Sequence, residues 1–338
     1  MKKAYKIFLV LLVMTIFITG CGTKETKPVE KKETKKEEIK VVEKNNYPSY
    51  NGFLKVSGTK LVNEKDEEFI LKGVSTHGIQ WFGDLYTKEN IKSLKDDWNI
   101  NIFRLAMYTK ENGYIDDKSI KDKVINLIDT VIDLDMYVIV DWHILSDNNP
   151  TMYTNEAKEF FNEISSKYKD KPNVIYEICN EPNGGTTFDD ITSYANEVIP
   201  VIRNNSPKSI IIVGTPTWSQ DVDKVNKLGF DNILYSLHFY SGTHTEYLRD
   251  KARTALSNNI PLIVSEFGVS DASGNNGIYL DETDRWIEFL KQNKISLISW
   301  SLCNKNESSA ILKENTNTVS DDNLTEAGKY LKEVFKNY

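Results

Sequence analysis

Cysteine and histidine are scarce in this chain. Its 338 residues include 3 cysteines and 4 histidines. That is too few for a disulfide framework, and the spacing of Cys179 and Cys303 offers no zinc pattern. A metal site would need a denser cluster of His, Asp and Glu. No Gly-x-Gly-x-x-Gly follows the first predicted strand to receive a dinucleotide, so neither metal nor cofactor is expected. Excess positive charge is missing too. The net charge is -7, and with 11 Lys and 6 Glu confined to residues 1–46, the remainder carries -12. Such an acidic surface speaks against nucleic acid as a partner. Long apolar runs are absent except for Ile7–Ile18, which is shorter than the roughly 20 residues needed to cross a bilayer.

That one run has a context. Lys2, Lys3 and Lys6 precede it and Thr19-Gly20-Cys21 follow it, the three-part pattern of an export signal over residues 1–20. The junction Ile18-Thr19-Gly20-Cys21 resembles the lipobox of bacterial lipoproteins. The resemblance implies that Cys21 is lipidated and becomes the mature N-terminus, anchoring an extracellular protein to the outer face of a bacterial cell membrane. Residues 21–46 are rich in Lys, Glu and Thr without sustained periodicity and read as a solvated tether. Lysines interleaved with glutamates make a weak field there. Residues 47–338 then suit one barrel domain, expected to act as a monomer. No residues are left over for a carbohydrate-binding module, so poor grip on crystalline polysaccharide is expected.

Eight apolar runs of strand length recur, at Ile70–Val74, Ile102–Met107, Tyr137–Val140, Val174–Ile178, Ile210–Val213, Ile233–Leu237, Leu262–Val264 and Ile295–Trp300. Between them lie patterns with apolar residues at three- and four-residue steps, such as Lys121–Asp135, Glu156–Lys169, Asp189–Arg203, Tyr247–Ser257 and Glu282–Gln292. A last helix is predicted from Thr325 to Phe335. Strand and helix in alternation mean an α/β fold with parallel strands, either an open doubly wound sheet or a closed barrel. The count of eight favours a (β/α)8 TIM barrel.

In such a barrel the C-terminal strand ends converge on one cavity. There the sequence puts His77, Arg104, His143, Asn180-Glu181, His238, Tyr240, Glu266 and Trp300, with Trp218 a little beyond the fifth strand. Pro182 steers Glu181 to extended backbone, predicting that it is the last residue of its strand. Glu266 is expected to close the apolar strand opened by Pro261. Two carboxyls facing each other among Trp and Tyr are the minimal kit for cleaving a glycosidic bond. The plainer reading makes them strand-end glutamates paired with surface lysines.

Several segments are more specific: Leu71-Lys72-Gly73-Val74-Ser75-Thr76-His77-Gly78-Ile79-Gln80-Trp81, Asn101-Ile102-Phe103-Arg104, Asp141-Trp142-His143, Tyr176-Glu177-Ile178-Cys179-Asn180-Glu181-Pro182, Ser236-Leu237-His238-Phe239-Tyr240, Val264-Ser265-Glu266-Phe267-Gly268 and Trp300-Ser301-Leu302-Cys303-Asn304-Lys305-Asn306-Glu307-Ser308-Ser309. With these, nearly all of residues 47–338 resembles glycoside hydrolase family 5, especially its bacterial endoglucanases. The resemblance implies a retaining endo-β-1,4-glucanase with Glu181 as acid/base and Glu266 as nucleophile. Arg104 and Tyr240 would reach toward Glu266, Asn180 would donate to the sugar 2-hydroxyl, and His77, His143 and His238 would complete the shell. Lys305 and Glu307 resemble the pair that binds more distant sugars on the non-reducing side.

Trp81, Tyr108, Trp218 and Trp300 are expected to stack on sugar faces. Trp98 and Trp286 are expected in the core, Trp142 packing outward from its strand, His244 at the surface, and Cys179 and Cys303 as buried free thiols. Asn304 departs from the aspartate usual in the family, which leaves the distal subsites open. Two alternatives stay in view: a family 5 enzyme acting on mannan, xyloglucan or mixed-linkage β-glucan, and a sugar-binding lipoprotein with no catalysis.

Overall fold

The computed structural model describes residues 46–338. The export signal, Cys21 and nearly all of the tether therefore lie outside the described residues. No helix among the described residues is long and apolar enough to cross a membrane.

A short antiparallel hairpin comes first, β1 (Lys55–Ser57) with β2 (Lys60–Val62). Eight strands follow: β3 (Lys72–Thr76), β4 (Ile102–Tyr108), β5 (Tyr137–His143), β6 (Val174–Glu177), β7 (Ile211–Val213), β8 (Ile233–Tyr240), β9 (Leu262–Gly268) and β10 (Leu297–Leu302). They pair in parallel and close as β10-β3-β4-β5-β6-β7-β8-β9. The fold is a (β/α)8 barrel. Its long helices are α1 (Lys88–Trp98), α2 (Ile120–Asp133), α3 (Thr154–Lys167), α4 (Phe188–Asn205), α5 (Glu246–Ser257), α6 (Leu280–Asn293) and α7 (Glu326–Asn337). Between β7 and β8 there are only the short turns Pro216–Ser219 and Val222–Lys224, so strand and helix do not alternate as strictly as the sequence suggests.

Period-two alternation divides the strand residues into two cores. Phe103, Leu105, Val138, Val140, Trp142, Tyr235, Leu237 and Phe239 point outward into the layer beneath the helices, which also holds Trp98 and Trp286. Their neighbours Ile102, Tyr137, Ile139, Ile175, Ile212, Leu234, Ile263 and Ile298 fill the lower barrel. The hairpin region closes that end: Leu54, Leu61 and Phe69 join the inner cluster, and the Tyr137 hydroxyl donates to the Gly52 carbonyl at 2.9 Å. Above the apolar layer the inward positions turn polar, with Arg104, Asp141, Glu177, Ser236 and Ser265 all fully buried.

Strand β9 breaks the alternation. Ser236 of β8 pairs with Ile263 but His238 pairs with Glu266, so β9 carries one extra residue in this interval. Ile263 lies inside, while Val264 and Phe267 pack outward. The extra residue forms a β-bulge that turns both Ser265 and Glu266 into the barrel. Glu266 is thus within its strand rather than at its end, and Glu181 lies four residues beyond Glu177, the last residue of β6. The sequence expectation for both termini is corrected accordingly.

Candidate active site

Arg104 organises the floor of the site. Nε–H donates to Glu177 (2.7 Å), Nη1 to Glu266 (3.0 Å) and Ser75 (3.4 Å), and Nη2 to Asn180 (2.7 Å), while the Asp141 carboxyl forms an ion pair with Nη2 at 3.0 Å. Burial works against its charge, but Asp141, Glu177 and Glu266 together raise its pKa. Burial pushes the Asp141 carboxyl up to about 7 against the pull of Arg104, and Glu177 is raised for the same reason.

Each oxygen of Glu266 receives a donor, Oε2 from Arg104 at 3.0 Å and Oε1 from the Tyr240 hydroxyl at 2.7 Å. Tyr240 can lie that close to its paired strand because residue 268 is glycine. A Cβ there would sit 2.3 Å from the tyrosine ring.

A hydrogen-bond chain runs from Glu177 to Glu181. With the Ser265 hydroxyl donating to Glu177 at 2.6 Å, its oxygen is placed to accept from Nε2–H of His238 at 2.9 Å. In that tautomer Nδ1 of His238, 2.9 Å from Oε1 of Glu181, accepts from a protonated carboxyl. Electrostatics agrees. Burial pushes Glu181 up to about 8, with Arg104 opposing and Asp141 and Glu177 reinforcing, while burial holds His238 down to about 4 and hence neutral. Glu266 and Glu181 thus differ in surroundings: two donors face the oxygens of the first, and burial raises the second.

On the neighbouring wall the Asp141 carboxylate faces His143 Nδ1 at 2.6 Å, and burial keeps His143 neutral. With Nδ1–H donated to Asp141, Nε2 accepts from the Asn180 amide at 3.3 Å, and that amide also donates to the Ile144 carbonyl at 3.1 Å. His77 lines the same cleft. It accepts from Gly78 N–H through Nδ1 at 2.7 Å, and burial followed by Lys305 and His143 lowers its pKa to about 3.

The cleft has a volume of about 620 Å³ and takes in Trp81, Tyr108, Trp218, Trp300, Lys305 and Glu307 around the two glutamates. Its aromatics divide. Trp81 and Trp218 are 45% and 46% exposed and present open faces, whereas Tyr108 and Trp300 are buried within their strands against His143 and His77. Lys305 pairs with Glu307 at 2.5 Å. Asn304 turns its amide to the Thr316 carbonyl at 2.8 Å and is not part of the cleft lining.

Trp218 sits on an unusual turn. Thr217, Trp218 and Ser219 have φ of 59°, 55° and 56°, three successive non-glycine residues in left-handed conformation, each costing roughly 1–2 kcal/mol. The surroundings hold it. Trp218 N–H donates to the Pro182 carbonyl at 3.0 Å, the Ser219 hydroxyl donates to the Asn180 carbonyl at 2.7 Å, and the Thr217 hydroxyl donates to Asp221 at 3.0 Å. The aromatic platform is thereby pinned to the Glu181 loop.

His244 is corrected from surface to site. It is 5% exposed, lines the cleft, and accepts from Tyr240 N–H at 2.8 Å, with burial lowering its pKa to about 4. Sequence reasoning also missed Asp141, Glu177, Ser236 and Ser265, and the cleft residues Glu111 and Gln220. Strand parity could have found Asp141, which alternates inward with His143. Cys179 and Cys303 are buried and free.

Among the described residues, Glu181, His238 and Glu266 are also the group that could supply three ligand atoms to a metal ion, all within 4.8 Å of one another. Arg104 beside Glu266 sets a fixed positive charge against a cation there.

A barrel that gathers facing carboxyls and open tryptophans at one rim belongs with the carbohydrate-cleaving barrels. Comparison with known proteins narrows the class. The family described as Cellulase (glycosyl hydrolase family 5) matches residues 62–306. An endoglucanase of Clostridium saccharobutylicum is 50% identical over 291 residues, which cover 84% of this chain and 65% of that relative. Endoglucanase A of Evansella cellulosilytica is 50% identical over 273 residues, 79% of this chain and 56% of its own length. The chain therefore spans less than two thirds of these curated relatives. Among solved structures, the catalytic domain of Thermobifida fusca endoglucanase Cel5A superposes with a TM-score of 0.82 at 35% identity, covering 86% of this chain and 99% of that one. The chain belongs to glycosyl hydrolase family 5.

Proposed function

We propose that the chain is a retaining endo-β-1,4-glucanase acting on soluble or amorphous β-glucan. The observation that carries the mechanism is the closeness of the two carboxyls: an oxygen of Glu181 lies within 4.8 Å of an oxygen of Glu266. Retaining enzymes hold their carboxyls roughly 5–5.5 Å apart, whereas inverting enzymes leave room for an intervening water. Glu266 attacks the anomeric carbon as the Glu181 proton passes to the departing oxygen, giving a glycosyl ester and a free chain end. Glu181, now a carboxylate, takes a proton from water, whose oxygen attacks the same carbon and releases Glu266. Asn180 steadies the 2-hydroxyl during both steps.

The relatives named endoglucanase support the substrate class, as does a Thermobifida fusca Cel5A structure described as a complex with cellotetraose. A binding protein would use the tryptophans equally well but has no need of the proton chain behind Glu181. Viscosity loss against reducing ends released, on carboxymethylcellulose, barley β-glucan, mannan, xyloglucan and xylan, tests the reading. Viscosity is expected to fall well ahead of reducing ends on the glucans. Faster cleavage of mannan than of any glucan would overturn the specificity.

The pH profile follows from the proton on Glu181. Its pKa is raised from 4.5 to about 8, so the acid is in place below that value and lost above it. kcat/KM is expected to fall as pH rises through about 8, and a rate independent of pH up to 9.5, roughly a unit and a half higher, would count against Glu181 as the acid. By linkage, native protein binds this proton more tightly than unfolded chain, so its contribution to stability declines as pH rises from 4.5 to about 8.

The proposal extends to location: the chain is an extracellular lipoprotein held by Cys21. Cys21→Ser is expected to move the enzyme from the membrane fraction to the medium with unchanged specific activity. An unchanged membrane-bound pool would contradict the anchor.

A further inference from the structure

The cleft lining comes from two sides of the barrel. Trp81 follows β3 and Lys305 and Glu307 follow its neighbour β10, whereas Trp218 and Gln220 follow β7 and His244 follows its neighbour β8, so the two sets mark two ends. Because the Trp218 turn is bonded to the carbonyl of Pro182, next to the proposed proton donor Glu181, the second end receives the leaving part of the chain. Just outside it stands Tyr247, 47% exposed, in the first turn of α5.

One ring contact and the setting of its helix place that ring. Its centroid lies 6.4 Å from that of His244, at 58°, and His244 lines the cleft. Four residues on, and so on the same face of the helix, Lys251 pairs with Asp221 at 2.5 Å. Asp221 directly follows Gln220, so Tyr247 sits one turn, about 5.4 Å, nearer the rim than that ion pair. Side chains on a helix lean toward its N-terminus, which here is the rim, since α5 begins six residues after the end of β8.

From this placement we propose that Tyr247 is a further sugar-binding platform on the leaving-group side. It continues the track begun by Trp218 and takes a glucosyl unit beyond the one that Trp218 covers. Its chemistry suits the task. A half-exposed phenol offers an apolar face to the axial C–H groups of a sugar. His244 beside it and Gln220, both in the cleft lining, bring polar groups to the hydroxyl edge. The backbone that carries Trp218 is held by its pinned turn, so this first ring stands on a support set before binding.

This inference rests on the β-1,4-glucanase reading, and the experiment separates the two. kcat/KM is measured for wild type, Tyr247→Ala and Tyr247→Phe on cellotriose through cellohexaose and on an aryl cellobioside, whose aglycone stops short of Tyr247. Tyr247→Ala is expected to lower kcat/KM on cellohexaose about three- to tenfold relative to the aryl cellobioside, and to shift cellohexaose products toward cleavage with fewer sugars on the leaving side. Tyr247→Phe should restore both. Equal losses on long and short substrates would make Tyr247 a structural residue and overturn the proposal, as would unchanged kinetics at every length. If wild type itself cleaves no cello-oligosaccharide, the glucanase reading has failed first.

Discussion

If the proposed mechanism holds, Glu266→Ala is expected to slow glucan hydrolysis by about four orders of magnitude or more, since in that mechanism Glu266 forms the covalent bond. The loss should be recoverable by chemistry. The missing carboxylate leaves space beneath Arg104 and Tyr240, whose donors at 3.0 and 2.7 Å were aimed at its oxygens. A small anion such as azide fits that space and those donors, and its attack on an activated aryl glycoside gives the inverted glycosyl azide. Glu181→Ala should behave differently. With a good leaving group the first step needs little protonation, the glycosyl ester accumulates, and azide then gives the retained product. Proton NMR of the two azides decides the roles, and swapped stereochemistry would reverse them.

Arg104→Met is expected to destabilise the fold by about 3–5 kcal/mol, the range for stranding a buried charge. The methionine fills much of the volume, but Asp141 and Glu177, both fully buried, lose their shared counter-ion. The loss should depend on pH in a definite direction. Burial already raises Asp141 to about 7 and raises Glu177 despite Arg104, and without the guanidinium both rise further. The native variant then binds protons that the unfolded chain, titrating near 4, does not hold. Its deficit relative to wild type should therefore shrink as pH falls from 7 toward 5. Urea denaturation at both pH values measures this, and a deficit that is absent, or that grows on acidification, would show that Arg104 does not serve as counter-ion.

Much of this molecule is readable from its residues. The eight apolar runs became the eight barrel strands because alternation and length are properties of the chain itself. Their converging ends could be deduced from parallel topology alone. The boundaries moved where tertiary pairing extended a ladder past its unbroken apolar run: β8 and β9 continue through His238-Phe239-Tyr240 and Glu266-Phe267-Gly268, where His238 and Glu266 interrupt the run and read as loop until a neighbour hydrogen-bonds to them. The left-handed turn at Thr217–Ser219 goes against the preference of every residue in it, and only its bonds to the Glu181 loop and Asp221 reveal why it persists. His244 was misjudged because burial of a polar ring depends on Tyr240 N–H and Tyr247, partners that no local pattern marks. Glu177 sits inside an apolar run, a sign of an interior charge, but its partners Arg104, Ser236 and Ser265 come from three other strands.

A strand that alternates without interruption can show the lumen only every second residue. The bulge in β9 escapes this parity, and through it one strand turns inward in succession the hydroxyl that bonds His238 and the carboxyl proposed as nucleophile, Ser265 then Glu266. A chain with one residue fewer between Ile263 and Phe267 would regain a regular ladder, and no spacing of side chains could then present both groups inward. Here the sheet's defect is the fitter arrangement, and selection for a smoother barrel and selection for turnover would pull the length of this strand in opposite directions.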